Sequence, residues 1–229
     1  MILKTDAIAL RIRPYRETSR LVTWLTPARG KLTTLAKGSQ RPRSPFLGQF
    51  DSFYECEILY YDHSPSTLHL LKECAPLDPH TRFRADYRSC AAASYAASLV
   101  DRVLPPGPHA PPELYPLLRN ALADFSARTP GPATLLRFEA ALLHHLGLLP
   151  DWPNDPHPSP PAPRMPFPPP DALRALDALR RDPSPPSPPA AGLPKTTYLH
   201  LRDLLGTLLE RHADLSPLPR RIAYSLLLP

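Results

Sequence analysis

Over roughly the first 75 residues, apolar and polar side chains alternate with a period of two. Beyond Pro79 the period lengthens to 3.6. Ile8, Leu10 and Ile12 alternate with Ala7, Ala9, Arg11 and Arg13, which predicts a strand with one buried and one basic face. Leu21, Thr23 and Leu25 alternate with Arg20, Val22 and Trp24 in a second strand, and Leu32, Thr34 and Ala36 alternate with Lys31, Thr33 and Lys37 in a third. Pro27-Ala28-Arg29-Gly30 reads as the turn between the second and third strands, with Gly30 free to take positive φ. Residues 53–61 and 67–71 supply two more strands around the turn Asp62-His63-Ser64-Pro65. Trp24, Phe53, Ile58 and Tyr60 are the expected core. Five short strands favour closure into a small barrel, because an open sheet would leave unpaired edges.

The helical part starts with Phe83, Tyr87, Cys90, Ala91 and Tyr95, which predict one apolar stripe on a helix ending near Leu104. Leu114, Leu117, Leu118, Ala121, Leu122 and Phe125 follow the i, i+3, i+4, i+7 rule of an amphipathic helix. Residues 130–147 are apolar on two faces (Leu135, Phe138, Leu142 and Leu136, Ala140, Leu143), the pattern of a central bundle helix. Tyr198, Leu201, Leu205, Leu208 and His212 mark a later helix, and Leu218, Ile222 and Leu226 a last short one. Between them, residues 150–194 hold 17 of the chain's 35 prolines. Proline removes a backbone donor and fixes φ, so this insertion is expected to be poorly ordered apart from a short helix at 171–181. The expected organisation is α+β with two domains, a β-barrel at 1–78 and an all-α helical domain at 79–229 interrupted by the Pro-rich insertion.

Charge changes the picture. The net charge is +6, yet residues 1–50 carry ten cations against Asp6 and Glu17, so this stretch alone holds +8. No carboxylate occurs between Glu17 and Asp51. Lys31 and Lys37 share one parity, and Arg41 and Arg43 continue the series into the following loop. A cationic strand face running into a cationic loop suits a phosphate backbone. Lys31, Lys37, Arg41 and Arg43 are the candidate phosphate contacts, with Arg11, Arg13, Arg16 and Arg29 around them. Tyr15, Phe46 and Phe50, in or beside loops, are the candidate rings for stacking unpaired bases.

Catalytic chemistry has no comparable signal. A phosphate-binding P-loop would need glycine at position 25 and Ser or Thr at 32, where the chain has Leu25 and Leu32. His144 and His145 are adjacent on a helix and point about 100° apart, a poor arrangement for a shared metal. Asp151, Asp155 and His157 lie in Pro-rich sequence and read as loop residues. Cys56, Cys74 and Cys90 form no CxxC pair, so neither a zinc knuckle nor a disulfide framework is indicated. No apolar run is long enough to span a bilayer, and Met1-Ile2-Leu3-Lys4 leads directly into a strand rather than a signal peptide. The expectation is a cytoplasmic, non-enzymatic binding protein without cofactor or metal.

The same residues carry a family resemblance. Ala7-Ile8-Ala9-Leu10-Arg11, Tyr15-Arg16-Glu17-Thr18-Ser19-Arg20, Leu25-Thr26-Pro27 with Gly30-Lys31-Leu32, and Ala36-Lys37-Gly38 leading to Phe50 resemble the N-terminal barrel of RecO, the bacterial recombination mediator and repair family. Leu135-Leu136-Arg137-Phe138-Glu139, Leu142-Leu143 and Leu146-Gly147-Leu148-Leu149-Pro150-Asp151 are similar to that family's central helix and its end. Residues 201–227 match more loosely. The resemblance implies an OB-fold barrel followed by a helical domain. It also implies binding of single- and double-stranded DNA, annealing of complementary strands, and help in loading a recombinase onto DNA covered by single-strand-binding protein. RecR and the C-terminal tail of single-strand-binding protein are the implied protein partners, and the implied location is the bacterial cytoplasm, associated with the nucleoid. Lys31 and Lys37 fall by position in the family's basic barrel strand. Many members carry a four-cysteine zinc module after the central helix. Here Trp152-Pro153-Asn154-Asp155-Pro156-His157 takes its place and no cysteine follows Cys90, so zinc is not expected. Two other readings fit the residues: an adaptor whose helical domain docks partner proteins, and an RNA-binding OB module.

Overall fold

The computed structural model describes residues 1–63, 68–149, 168–181, 194–213 and 217–227. Five strands, β1 (Ile2–Tyr15), β2 (Ser19–Thr26), β3 (Gly30–Ala36), β4 (Glu55–Tyr61) and β5 (Leu68–Asp78), form a closed barrel in the order β1-β2-β3-β5-β4. The β3–β5 seam is parallel and brief, pairing Thr33 with Leu68, Thr34 with His69 and Leu35 with Leu70; the other seams are antiparallel. Period-two patterning sets the interior. Leu32, Thr34 and Ala36 are buried along β3 and alternate with half-buried Lys31, Thr33 and Leu35. Val22, Trp24, Ile58, Tyr60 and Leu71 fill the centre, and Trp24 Nε1 donates to Thr34 Oγ1 at 2.8 Å, which satisfies the one polar atom of that ring.

Two strands depart from the sequence pattern. The β1–β2 register shifts between Ala9 and Arg11, a β-bulge. Ala7 and Ala9 point into the barrel before it and Ile12 packs on the interior after it. Ile8 and Leu10, expected to face the interior, are buried outside that cluster, on the side of β1 against which α1 lies. β5 continues past Leu71 to Asp78 because β4 offers a full ladder of partners. Its exposed Lys72, Glu73, Ala75 and Pro76 give no apolar alternation to read, as befits an edge guarded by charge and proline.

The chain divides into two compact units, Met1–Thr129 and Pro130–Pro229. The first therefore holds the barrel together with a 3₁₀ turn at Thr81–Arg84, α1 (Tyr87–Val103) and α2 (Leu114–Ala127). The change from strand to helix still falls after Asp78, but compactness places two helices with the barrel. Asp86 caps α1 by accepting from the amides of Arg88 and Ser89, so the helix starts later than the expected stripe. Tyr87 is consequently 68 % exposed, while Phe83 and Tyr95 of the expected stripe are buried, Tyr95 on a face shared with Ser89, Ala92, Ala93, Ala96, Ala97, Leu99 and Val100. Glu55, buried at the start of β4, accepts from Tyr115 Oη at 3.1 Å and Arg119 Nε at 2.7 Å, which ties α2 to the barrel wall.

The second unit contains α3 (Pro132–His145), α4 (Pro170–Arg181), α5 (Lys195–Ala213) and α6 (Pro217–Leu227). α3 packs against the other three and is buried on both faces, as its pattern predicts. α4 sits in the Pro-rich stretch and buries Ala172, Leu176 and Leu179. The flanking parts of that insertion, residues 150–167 and 182–193, lie outside the described residues. In α6 the expected apolar stripe is turned outward: Leu218 and Ile222 are exposed, and Ala223, Tyr224 and Leu227 are buried. The cause is Arg220. Its guanidinium reaches inward to the fully buried Glu139 of α3, giving Nε–Oε1 and Nη2–Oε2 contacts of 2.8 Å each, while Tyr224 Oη donates to Oε2 at 3.0 Å. That bidentate pair fixes the rotation of the helix.

Candidate nucleic-acid interface

The candidate cations separate into two groups at opposite ends of β3. One end is built by the β1–β2 turn and the β3–β4 loop. Tyr15 pairs with Ser19 at the hairpin tip, and Arg16 takes a left-handed φ of 55° there. The loop is pinned to this tip: Gly38 N donates to Ser19 Oγ at 3.0 Å and Gln40 N to Thr18 O at 2.9 Å. Successive turns (Arg41 N to Gly38 O, Ser44 N to Arg41 O, Leu47 N to Ser44 O) then carry the chain across the barrel mouth. Arg13, Arg16, Lys37, Arg41 and Arg43 are exposed on these segments, and Arg20, paired with Pro14 and Ala36, is half-buried among them. None of the six makes an ion pair with a described residue, and Glu17 is the one carboxylate between residues 13 and 50. The Arg16 guanidinium lies 5.5 Å from the centre of the half-buried Tyr15 ring.

Phe46 and Phe50 correct the sequence reading. Both are buried in the barrel interior, their rings edge to face at 6.2 Å, and Phe50 stands edge to face on Trp24 at 6.1 Å. An aromatic inside a loop suggests a stacking platform. Here it is the anchor that holds Arg41 and Arg43 in place, since burying such a ring outweighs leaving it in water.

The other end of β3 is neutralised. Lys31, six residues from Lys37 and so about 20 Å away along a strand, has a side chain only 11 % exposed. Its Nζ lies 3.3 Å from Asp101 Oδ1 and also donates to the Asp101 carbonyl. Arg11 Nε lies 3.2 Å from Asp101 Oδ2. Arg29 pairs with Asp62 at 3.5 Å, and Asp62 also faces His69 at 3.2 Å. The expected continuous basic face is thus interrupted by carboxylates from α1 and from the end of β4. Asp101 is 70 residues from Lys31, so no local pattern could reveal it. The β3 backbone is covered there as well: Gly107 N donates to Lys31 O at 2.7 Å. A Cβ at Gly30, where φ is 57°, would stand 2.5 Å from the Gly107 carbonyl, so this approach requires glycine.

Burial governs the other titratable groups of the barrel. Desolvation lowers the His69 pKa below the usual imidazole range, against the pull of Asp62. Cys56 and Cys74 converge on the carbonyl of Gln49, at 3.6 and 3.5 Å, and the hydrogen bond to Cys74 together with burial pushes the Cys56 thiol up. Among the described residues no group of three or more His, Cys, Asp or Glu is placed to hold a metal, and no helix is long and apolar enough to cross a membrane.

The chain is a five-stranded, OB-like closed barrel with a carboxylate-poor cationic mouth, joined in sequence to a helical unit. Residues 1–80 match the family model described as Recombination protein O N terminal, and residues 84–222 match Recombination protein O C terminal. The chain belongs to the RecO family. It is similar to proteins named DNA repair protein RecO from Myxococcus xanthus (34 % identical over 145 residues, 63 % of this chain and 59 % of the relative) and Heliobacterium modesticaldum (31 % over 150 residues, 66 % and 53 %). The relative from Rhodopirellula baltica is 35 % identical over 147 residues, 63 % and 53 % of the two chains. The matches thus span somewhat over half the length of these relatives.

Proposed function

We propose that this chain is a DNA-repair and recombination mediator that binds DNA through the mouth of its barrel and anneals complementary single strands without catalysis. The supporting observation is the set Arg13, Arg16, Lys37, Arg41 and Arg43: five exposed cations on two hydrogen-bonded segments with one carboxylate among them. Two phosphate backbones repel, and a surface that neutralises both lowers that repulsion and releases their counterions. Family membership supports the further steps, association with RecR and loading of recombinase onto DNA covered by single-strand-binding protein. Lys31, Arg11 and Arg29 are left out of the contact set because carboxylates engage them.

Five phosphate contacts on a single strand give a slope of log affinity against log salt near −3.5, about a hundredfold loss from 50 to 200 mM. Reversing charge in the triple variant Lys37→Glu, Arg41→Glu, Arg43→Glu removes three contacts and flattens the slope by about 2. Lys31→Met leaves binding unchanged. Titration of labelled single strands and an annealing assay across a salt series measure both. Unaltered annealing by the triple variant refutes the assignment.

A second reading rests on α6. Leu218 and Ile222 stand exposed one turn apart with exposed Arg221 beside them, chemistry suited to an acidic peptide with apolar side chains. The tail of single-strand-binding protein is of that kind in the family reading, which makes the chain an adaptor. Tail binding without DNA affinity favours the adaptor alone, and competition between DNA and RNA oligonucleotides of equal length tests the RNA-binding alternative.

A further inference from the structure

We propose that Asp101 acts as an internal phosphate mimic that occupies Arg11 and Lys31, ends the cationic track at Arg13 and so limits how tightly the barrel holds a polynucleotide. The inference deepens the nucleic-acid reading above and rests on it. Asp101 sits in the last turn of α1, where the helix dipole disfavours a carboxylate, so local helix stability does not account for it. Its two oxygens are divided between two cations, Oδ1 toward Lys31 and Oδ2 toward Arg11, as the two free oxygens of a phosphodiester would be.

The geometry makes this contact competitive as well as structural. Arg11 pairs with Thr23 and Arg13 with Leu21, so Arg11 follows Arg13 along β1 by two residues, about 7 Å. A strand bound at the mouth and extended along β1 meets Arg11 next. The Arg11 side chain is 41 % exposed although its Nε, which faces Asp101, is buried and Asp101 itself is only 9 % exposed, so solvent reaches the side chain but not the carboxylate. Lys31 lies deeper, held by the Asp101 carbonyl as well as the carboxylate. Neutralising Asp101 leaves the carbonyl contact in place and frees the charge of both cations for phosphate.

The test uses the full chain and a labelled single-stranded oligonucleotide titrated between 50 and 200 mM salt. Asp101→Asn binds more tightly than the wild type, and its salt slope steepens by up to about 1.4, or 0.7 for each released cation. That steepening makes its loss of affinity over the salt range about seven-fold larger than that of the wild type. Adding Arg11→Met and Lys31→Met to Asp101→Asn abolishes the gain. Wild-type affinity and slope in a folded Asp101→Asn overturn the inference while leaving the barrel-mouth reading intact. The double variant Arg11→Met, Lys31→Met in the otherwise native chain gives an independent answer should Asp101→Asn fail to fold. Native affinity there supports sequestration, and a slope flattened by about 1.4 shows that both cations already hold phosphate and overturns it. A wild type with no salt-dependent binding refutes the nucleic-acid reading itself.

Discussion

Arg220 and Glu139 show how one residue pair outranks a hydrophobic pattern. Glu139 has no exposed surface, and its two oxygens are taken by the Arg220 fork and the Tyr224 hydroxyl. The guanidinium also stacks 4.7 Å from the Tyr224 ring and donates to the carbonyl of Arg202 at 2.8 Å. Room for it comes from Gly206, where a Cβ would stand 2.6 Å from Nη1. Because the guanidinium is held by three partners it cannot easily swing aside. Arg220→Met strands a buried carboxylate and is expected to cost about 3 to 5 kcal/mol. The joint replacement Glu139→Leu, Arg220→Met recovers most of that loss, since removing both charges removes the desolvation cost. Denaturant unfolding of the two variants checks the pair.

At the scale of elements, the β1–β2 hairpin is held in a conformation its sequence does not favour. Arg16 occupies the left-handed region at the turn, where a side chain other than Gly, Asn or Asp is strained. That strained backbone places an exposed cation at the tip of the β1–β2 hairpin. Arg16→Gly relieves the strain at the expense of a more flexible unfolded chain. The net expectation is a gain of about 0.5 to 1 kcal/mol in stability. The same variant loses one phosphate contact, so its salt slope flattens by about 0.7. Thermal melting and oligonucleotide titration together reveal whether stability has been exchanged for binding. The β3–β4 loop works on the same principle: Phe46 and Phe50 are buried so that the cations between Lys37 and Arg43 stand on fixed backbone.

At the scale of the whole molecule, stability depends on pH through histidines buried without charge. His80 is buried at the end of the barrel, its ring 5.4 Å from that of Phe83; desolvation lowers its pKa, partly opposed by Asp78 and Glu55. The unfolded chain therefore binds more protons than the native one as pH falls through about 6.5. Stability from this group is fully present above that pH and declines below it. His80→Asn keeps a side chain tolerant of the left-handed backbone, φ 42°, and removes the titration. The difference in melting temperature between pH 7.5 and 5.5 is expected to shrink in that variant relative to the wild type.

Period-two alternation and turn chemistry made the strands of the barrel legible, but not which face of β1 turns inward, because Ile8 and Leu10 are buried outside the barrel on the side where α1 lies. Legible too were α2, α3 and α5, whose apolar residues recur at helical spacing. Local sequence also displayed the cations, but not their partners. Whether Lys31 or Lys37 is open to solvent depends on Asp101, brought to one of them by the path of α1 and absent from the other. The same reason explains Phe46, Tyr87 and the outward turn of Leu218 and Ile222. A residue's own chemistry is written in the chain, whereas its burial and its counter-charge are set by segments that only folding brings alongside.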